Sequence, residues 1–146
     1  MSEQNVEVVR SLLSPFEGID VAGVDWGAEP IRDLLAGACS WEVELRTLES
    51  GAGTGVDGEY HGVEGVARYL HDWIEPFAEY HARFFDYIAL GDFVLVSTRN
   101  WGIGSGSGVK TEIELVYACE VKDGSITRLL QYDTVADARS AIESGV

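Results

Sequence analysis

Glu114-Leu115-Val116-Tyr117-Ala118-Cys119-Glu120-Val121-Lys122-Asp123-Gly124-Ser125-Ile126-Thr127-Arg128-Leu129-Leu130-Gln131-Tyr132-Asp133 is the stretch on which the fold turns. Its two halves are rich in β-formers, and Asp123-Gly124 between them is the pair a two-residue hairpin prefers. A turn that tight sets the register, so Lys122 is expected opposite Ser125. Counting outward puts Ala118 opposite Leu129, Val116 opposite Gln131 and Glu114 opposite Asp133 on one face. Cys119 with Arg128, Tyr117 with Leu130 and Leu115 with Tyr132 take the other.

Upstream, residues 80 to 90, 93 to 103 and 109 to 121 show the same period-two enrichment in Phe, Tyr, Val, Ile and Thr. Gly91-Asp92 supplies one tight turn, and Gly104-Ser105-Gly106-Ser107-Gly108 a looser one. With 126 to 133 as the last strand, the four predict an antiparallel meander. The faces of Asn100 and Trp101 stay open, because Gly102 and Gly104 permit bulges nearby.

The first half of the chain reads as helices. Val6, Val9, Leu13 and Phe16 predict an amphipathic helix over residues 3 to 17, with Pro15 marking its end. Residues 29 to 37 open with Glu-Pro and close with Gly, which predicts a further short helix. Trp41 to Leu45 alternates apolar and charged residues, as a strand with one wet face does. Val63, Val66, Leu70, Trp73 and Phe77 form one helical stripe, and Thr134 is placed to cap a last helix over Val135 to Glu143. Helices first and a curled sheet after them predict an α+β domain over residues 1–146, a cone whose helices cover the concave sheet face and enclose a pocket.

Several short patterns then fall into a familiar order. Tyr60-x-Gly62-x-x-Gly65-Val66 opens the helix of Trp73, Gly91-Asp92-x-Val94-x-Val96 follows, and Asp123-Gly124-x-Ile126-x-Arg128 leads to Tyr132 and a closing helix. In this order and spacing the chain resembles the SnoaL-like branch of the nuclear transport factor 2-like superfamily. The resemblance spans roughly residues 5 to 143. It implies the cone fold, a pocket between helices and sheet, and homodimers built on the sheet's outer face. It also implies that Ala118, Val116, Glu114, Leu129, Gln131 and Asp133 face the pocket. The chain departs from cyclase-like relatives, which have Asp where Gln131 stands, and from steroid-isomerase-like relatives, which have an acid at Ala118.

Composition narrows the partners. Ten Lys and Arg against 25 Asp and Glu leave a net charge of −15, the wrong sign for binding nucleic acid or an anionic membrane. With 46% hydrophobic residues the chain has the material for a packed core rather than an acidic disordered tail. No leading basic and apolar run appears, so a cytoplasmic location is expected. Cys39 and Cys119 have no neighbouring ligands, and His61, His71 and His81 share no helix face, so neither metal nor cofactor is predicted. Gly53-Thr54-Gly55-Val56-Asp57-Gly58 imitates a dinucleotide loop, but no helix begins at its third glycine and no parallel βαβ unit surrounds it.

Chemistry is expected from few side chains. Facing carboxylates at Glu114 and Asp133 could split into an acid and a base if a dry pocket raised one pKa; equally, the strands could fray there and leave both in water. His61 at the pocket rim could shuttle protons, or be a solvated loop residue. Gln131, an amide, can hold a carbonyl or hydroxyl but cannot accept a substrate proton at neutral pH. Trp41, Trp73 and Tyr87 are candidate walls for a flat ligand, with core packing as the alternative. The function expected is a pocket protein for a small hydrophobic, oxygenated metabolite, either an isomerase, cyclase or hydrolase-like catalyst or a non-catalytic binding or dimeric module. The homodimer is expected through Tyr117, Leu115, Leu130 and Tyr132.

Overall fold

The computed structural model describes residues 2–47 and 58–146. The glycine-rich imitation of a dinucleotide loop therefore lies, apart from Gly58, outside the described residues. Helix α1 (Ser2–Leu13) stops short of residue 17 because Pro15 falls in a 3-10 turn, Ser14–Phe16. A second 3-10 turn (Val21–Gly23) leads to α2 (Glu29–Ala38), with Pro30 in its first turn. Strand β1 (Cys39–Arg46), the short β2 (Glu59–His61) and α3 (Gly62–Ile74) follow. Helix α3 ends before Pro76, so Phe77 begins a strand instead of closing the helical stripe. The meander is β3 (Phe77–Leu90), β4 (Phe93–Gly104), β5 (Lys110–Lys122) and β6 (Ser125–Tyr132), and α4 (Val135–Glu143) closes the chain. The Thr134 hydroxyl caps α4 as expected, accepting from the Asp137 N–H at 3.1 Å.

Among the described residues one six-stranded, open sheet runs β2-β1-β6-β5-β4-β3. Neighbours are antiparallel except β1 and β6, which are parallel. The sheet curves, and β3 is bulged between Phe85 and Ile88, where Asp86 takes a φ of 54°. As an edge strand β3 would present free N–H groups, and two carboxylates cover them. Asp20 Oδ1 accepts from the Tyr80 N–H at 3.0 Å, and Glu17 Oε2 from that of Phe84 at 2.7 Å.

Two apolar clusters sandwich the sheet. The larger joins α1, α2 and α3 to the concave face through Val9, Leu35, Val66, Val94, Val96 and Leu129. The smaller lies on the convex face, where α4 covers Phe93, Leu95, Val116, Ala118 and Leu130.

That division corrects the predicted register. Lys122 does pair with Ser125, and Val121 with Ile126, but Glu120 then pairs with Arg128, so Thr127 is one extra residue on β6. Beyond this bulge the pairs are Cys119 with Leu129, Ala118 with Leu130, Tyr117 with Gln131 and Val116 with Tyr132. The Thr127 hydroxyl and the Arg128 guanidinium hold the bulge, both donating to the Glu120 carboxylate, Thr127 at 2.7 Å and Arg128 at 2.8 and 3.0 Å. One extra residue reverses the parity of β5 relative to β6. Leu129 and Gln131 face the helices as expected, but their neighbours there are Cys119 and Tyr117. Val116 and Ala118 point the other way, under α4.

Candidate functional site

Between the three N-terminal helices and the concave sheet face lies a cavity of about 100 Å³. Aliphatic and aromatic side chains make most of its wall, among them Leu12, Phe16, Val66, Leu70 and Ile74. Among the described residues no carboxylate, imidazole or ammonium lines it. The lining residues that carry polar side-chain atoms are Trp26, Tyr69, Trp73, Tyr80, Asn100, Tyr117 and Cys119.

Two of these, Tyr69 and Tyr117, meet at Gln131. Its Nε2 donates to the Tyr69 hydroxyl and, at 3.3 Å, to that of Tyr117, and the two hydroxyl oxygens lie 3.3 Å apart. Tyr69 is on α3, one turn from both Val66 and Trp73, so the periodicity that makes α3 amphipathic turns it inward. Tyr117 arrives through the Thr127 bulge. Burial pushes both phenols above their ordinary pKa, so they are neutral hydrogen-bond donors. Two amide hydrogens and one phenol hydrogen suffice for the three contacts, so one phenol hydrogen is not needed within the trio. Nearby, Trp73 Nε1 donates to the Tyr80 hydroxyl at 2.6 Å, and burial also raises the Tyr80 pKa. Asn100 points inward, its Nδ2 donating to Thr98 Oγ1 at 3.0 Å and to the Ile113 carbonyl at 3.3 Å. Trp101, the next residue, points outward and stacks on His81, with ring centroids 5.6 Å apart.

The predicted site is only partly assembled. Trp73 and Leu129 line the cavity, and Gln131 stands behind its tyrosines. Glu114 and Asp133 do not meet. Glu114 lies opposite Arg99 on β4 and on the outward face, where the guanidinium binds its carboxylate at 2.8 Å; Asp133 is exposed beyond the end of β6. His61 is exposed on an outer groove, 3.6 Å from Glu59 Oε2. Trp41 is 83% exposed, so it is no pocket wall. Tyr87 is half-buried away from the cavity, with the Arg10 guanidinium 4.6 Å above its ring. Val116 and Ala118 are removed by the parity change already described.

The predicted dimer strip is also broken up. Tyr117 and Leu115 face the core, Leu130 is covered by α4, and Tyr132 is partly buried beside it. The exposed aromatics of the convex face are instead Phe85 and Trp101. At the end of α3, His71 Nδ1 lies 3.3 Å from Asp72 Oδ1 and 3.7 Å from Glu75 Oε2 on an exposed surface.

Six curved strands with helices in the concavity define an α+β cone with a small internal pocket. The family model described as SnoaL-like domain matches residues 28–129, and the chain belongs to that family. Solved structures agree in fold. TerC, co-crystallised with polyporic acid, is 18% identical, with 96% of this chain and 98% of that one covered at a TM-score of 0.69. A protein named as a SnoaL-like polyketide cyclase from Jannaschia sp. CCS1 is 18% identical, with 99% and 95% covered and a TM-score of 0.69. A ketosteroid isomerase-like fold protein from Catenulispora acidiphila, in complex with trimethylamine, is 12% identical, with 88% and 86% covered and a TM-score of 0.64. No curated protein gives a significant match.

Proposed function

We propose that this chain binds a compact, mostly apolar molecule through one of its oxygens and is a pocket protein without carboxylate acid–base chemistry. The observation that carries this is the hydroxyl pair of Tyr69 and Tyr117, joined by Gln131 at the wall of a mostly apolar cavity. An apolar cavity of about 150 Å³ binds benzene, so the cavity here, at about 100 Å³, suits a ligand of at most one ring. A neutral phenol donor in such a wall favours a carbonyl or hydroxyl oxygen, because the alternative for that donor is to stay unbonded. Proton abstraction needs a base, and no described residue of the cavity wall is one at neutral pH. TerC and the Catenulispora protein, which share the fold, were crystallised with small molecules, and that supports a binding role.

Cyclohexanone and methylcyclohexane are suitable probes, followed by heteronuclear NMR titration of the wild type, Tyr69→Phe and Tyr117→Phe. The expected result is that the ketone shifts cavity resonances and binds about fivefold to tenfold more weakly to at least one variant, while the hydrocarbon is unaffected by the substitutions. Equal affinity for the ketone in all three proteins, or no binding up to its solubility, overturns the reading.

A homodimer and a cytoplasmic location belong to the same proposal. Phe85 and Trp101, 37% and 40% exposed on the convex face, support a dimer contact beside α4. The two unpaired, buried thiols fit a reducing compartment.

A further inference from the structure

The Trp26 indole is the part of the cavity wall that the ligand reading leaves unexplained. It is 6% exposed, and its Nε1 is sealed from solvent with no acceptor among the described residues. Buried donors in native proteins are almost always paired, so an orphan of this kind calls for a physical reason. Trp26 also holds a particular position. It lines the internal cavity, and it lines an outer groove formed with Arg32, His61, Glu64, Arg68 and His71. No other described residue belongs to both. One side of the indole packs on Phe16, with centroids 5.3 Å apart. Its loop is tethered from the groove side, where Arg32 Nε donates to the Gly27 carbonyl at 3.2 Å and the Arg32 guanidinium pairs with Glu64 of α3.

We propose that Trp26 is the gate between the outer groove and the cavity, and that its indole N–H finds its acceptor on the bound ligand. The argument rests on the pocket reading above and deepens it. A donor with no partner in the closed arrangement has no hydrogen bond to lose when the ring turns, so the indole is held by packing and by the Arg32 tether. A ligand entering from the groove meets this ring first. If the tyrosine hydroxyls take one ligand oxygen and the turned indole takes another, the favoured ligand class is a small ring bearing two oxygen acceptors. A ring with a single oxygen satisfies the tyrosines and leaves Trp26 as it stands.

The test compares cyclohexanone with 1,4-cyclohexanedione on the wild type and on Trp26→Phe, which keeps an aromatic ring and removes the N–H. The Nε1–H resonance of Trp26 is assigned on the wild type by sequential heteronuclear NMR. The dione is expected to move that resonance downfield and to bind the variant about fivefold to tenfold more weakly, a loss in the range of one neutral hydrogen bond. Cyclohexanone is expected to bind both proteins equally. Should the dione saturate the wild type with the Trp26 resonance unmoved, or should the substitution weaken both ketones alike, the role of Trp26 is overturned and the pocket reading stands. If neither ketone binds the wild type, the pocket reading falls and the gate with it. The resonance is read on the wild type, so the result survives a poorly folding variant.

Discussion

Tyr117 stands directly across the β5–β6 ladder from Gln131, and the amide of one donates to the hydroxyl of the other at 3.3 Å. The pairing exists because Thr127 adds a residue to β6, and it brings a phenol to the cavity where a ladder without the bulge would bring Val116. Much of the pocket's polarity follows from that single insertion.

The carboxylates that the unbulged register would face across the ladder are therefore outside the site. Glu114→Gln and Asp133→Asn are expected to leave ketone affinity within about twofold of the wild type, as surface substitutions remote from a site do. Titration calorimetry of the two variants checks this, and a tenfold loss in either would return the acids to the pocket.

Glu120 should dominate the acid end of the stability profile. Hydrogen bonds from Arg128 hold its carboxyl at about 2, against an ordinary 4.5. A carboxylate whose folded pKa is depressed stabilises the fold above its unfolded pKa, and that contribution is lost as pH falls from about 5 to 2. The two values imply about 3 kcal/mol at neutral pH. Urea titrations at several pH values are expected to show the wild type losing stability across this window while Glu120→Gln, already weaker at pH 7, changes less.

Gly102 has a steric role on β4. A Cβ at this position would lie 2.7 Å from Phe77 Cδ1 and 2.8 Å from the Glu79 carbonyl oxygen, a backbone atom of the paired strand. Gly102→Ala is expected to cost about 1–3 kcal/mol, as overpacking does. Thermal melts followed by circular dichroism measure it, and a melting temperature equal to the wild type's would contradict the close approach.

The two thiols should be inert in the folded protein. Burial pushes Cys39 up to about 12 and Cys119 higher still, so neither forms appreciable thiolate at pH 8. Reaction with a disulfide reagent is expected only after denaturant is added. Rapid labelling of the native chain at either cysteine would show that the core opens there.

What was legible in the sequence was whatever is encoded within a single element. Val63, Val66, Leu70 and Trp73 reveal α3 because helical periodicity is local, and Asp123-Gly124 reveals a hairpin because few residues accept its backbone angles; Asp123 and Gly124 have φ values of 52° and 79°. Tyr69 was within reach of the same reasoning, sharing the face of Val66 and Trp73. The bulge left a fainter trace: an unbulged ladder puts Arg128 beside Cys119 on one face, whereas the shift by one residue sets Arg128 against Glu120 and turns Cys119 inward with Leu129.

The meander, the helices, the hairpin turn and the capped last helix were thus determined by the chain's own local order. The tertiary structure decided which side of β5 meets the helices, that Trp26 and Tyr117 share one cavity wall, and that Trp41, Glu114 and Asp133 do not reach it. The reason is that facing depends on parity, and parity is reversed by one residue. The Thr127 bulge is held by side-chain bonds to Glu120 and leaves only that faint trace, and the cavity gathers residues from distant parts of the chain, which no spacing along the sequence records.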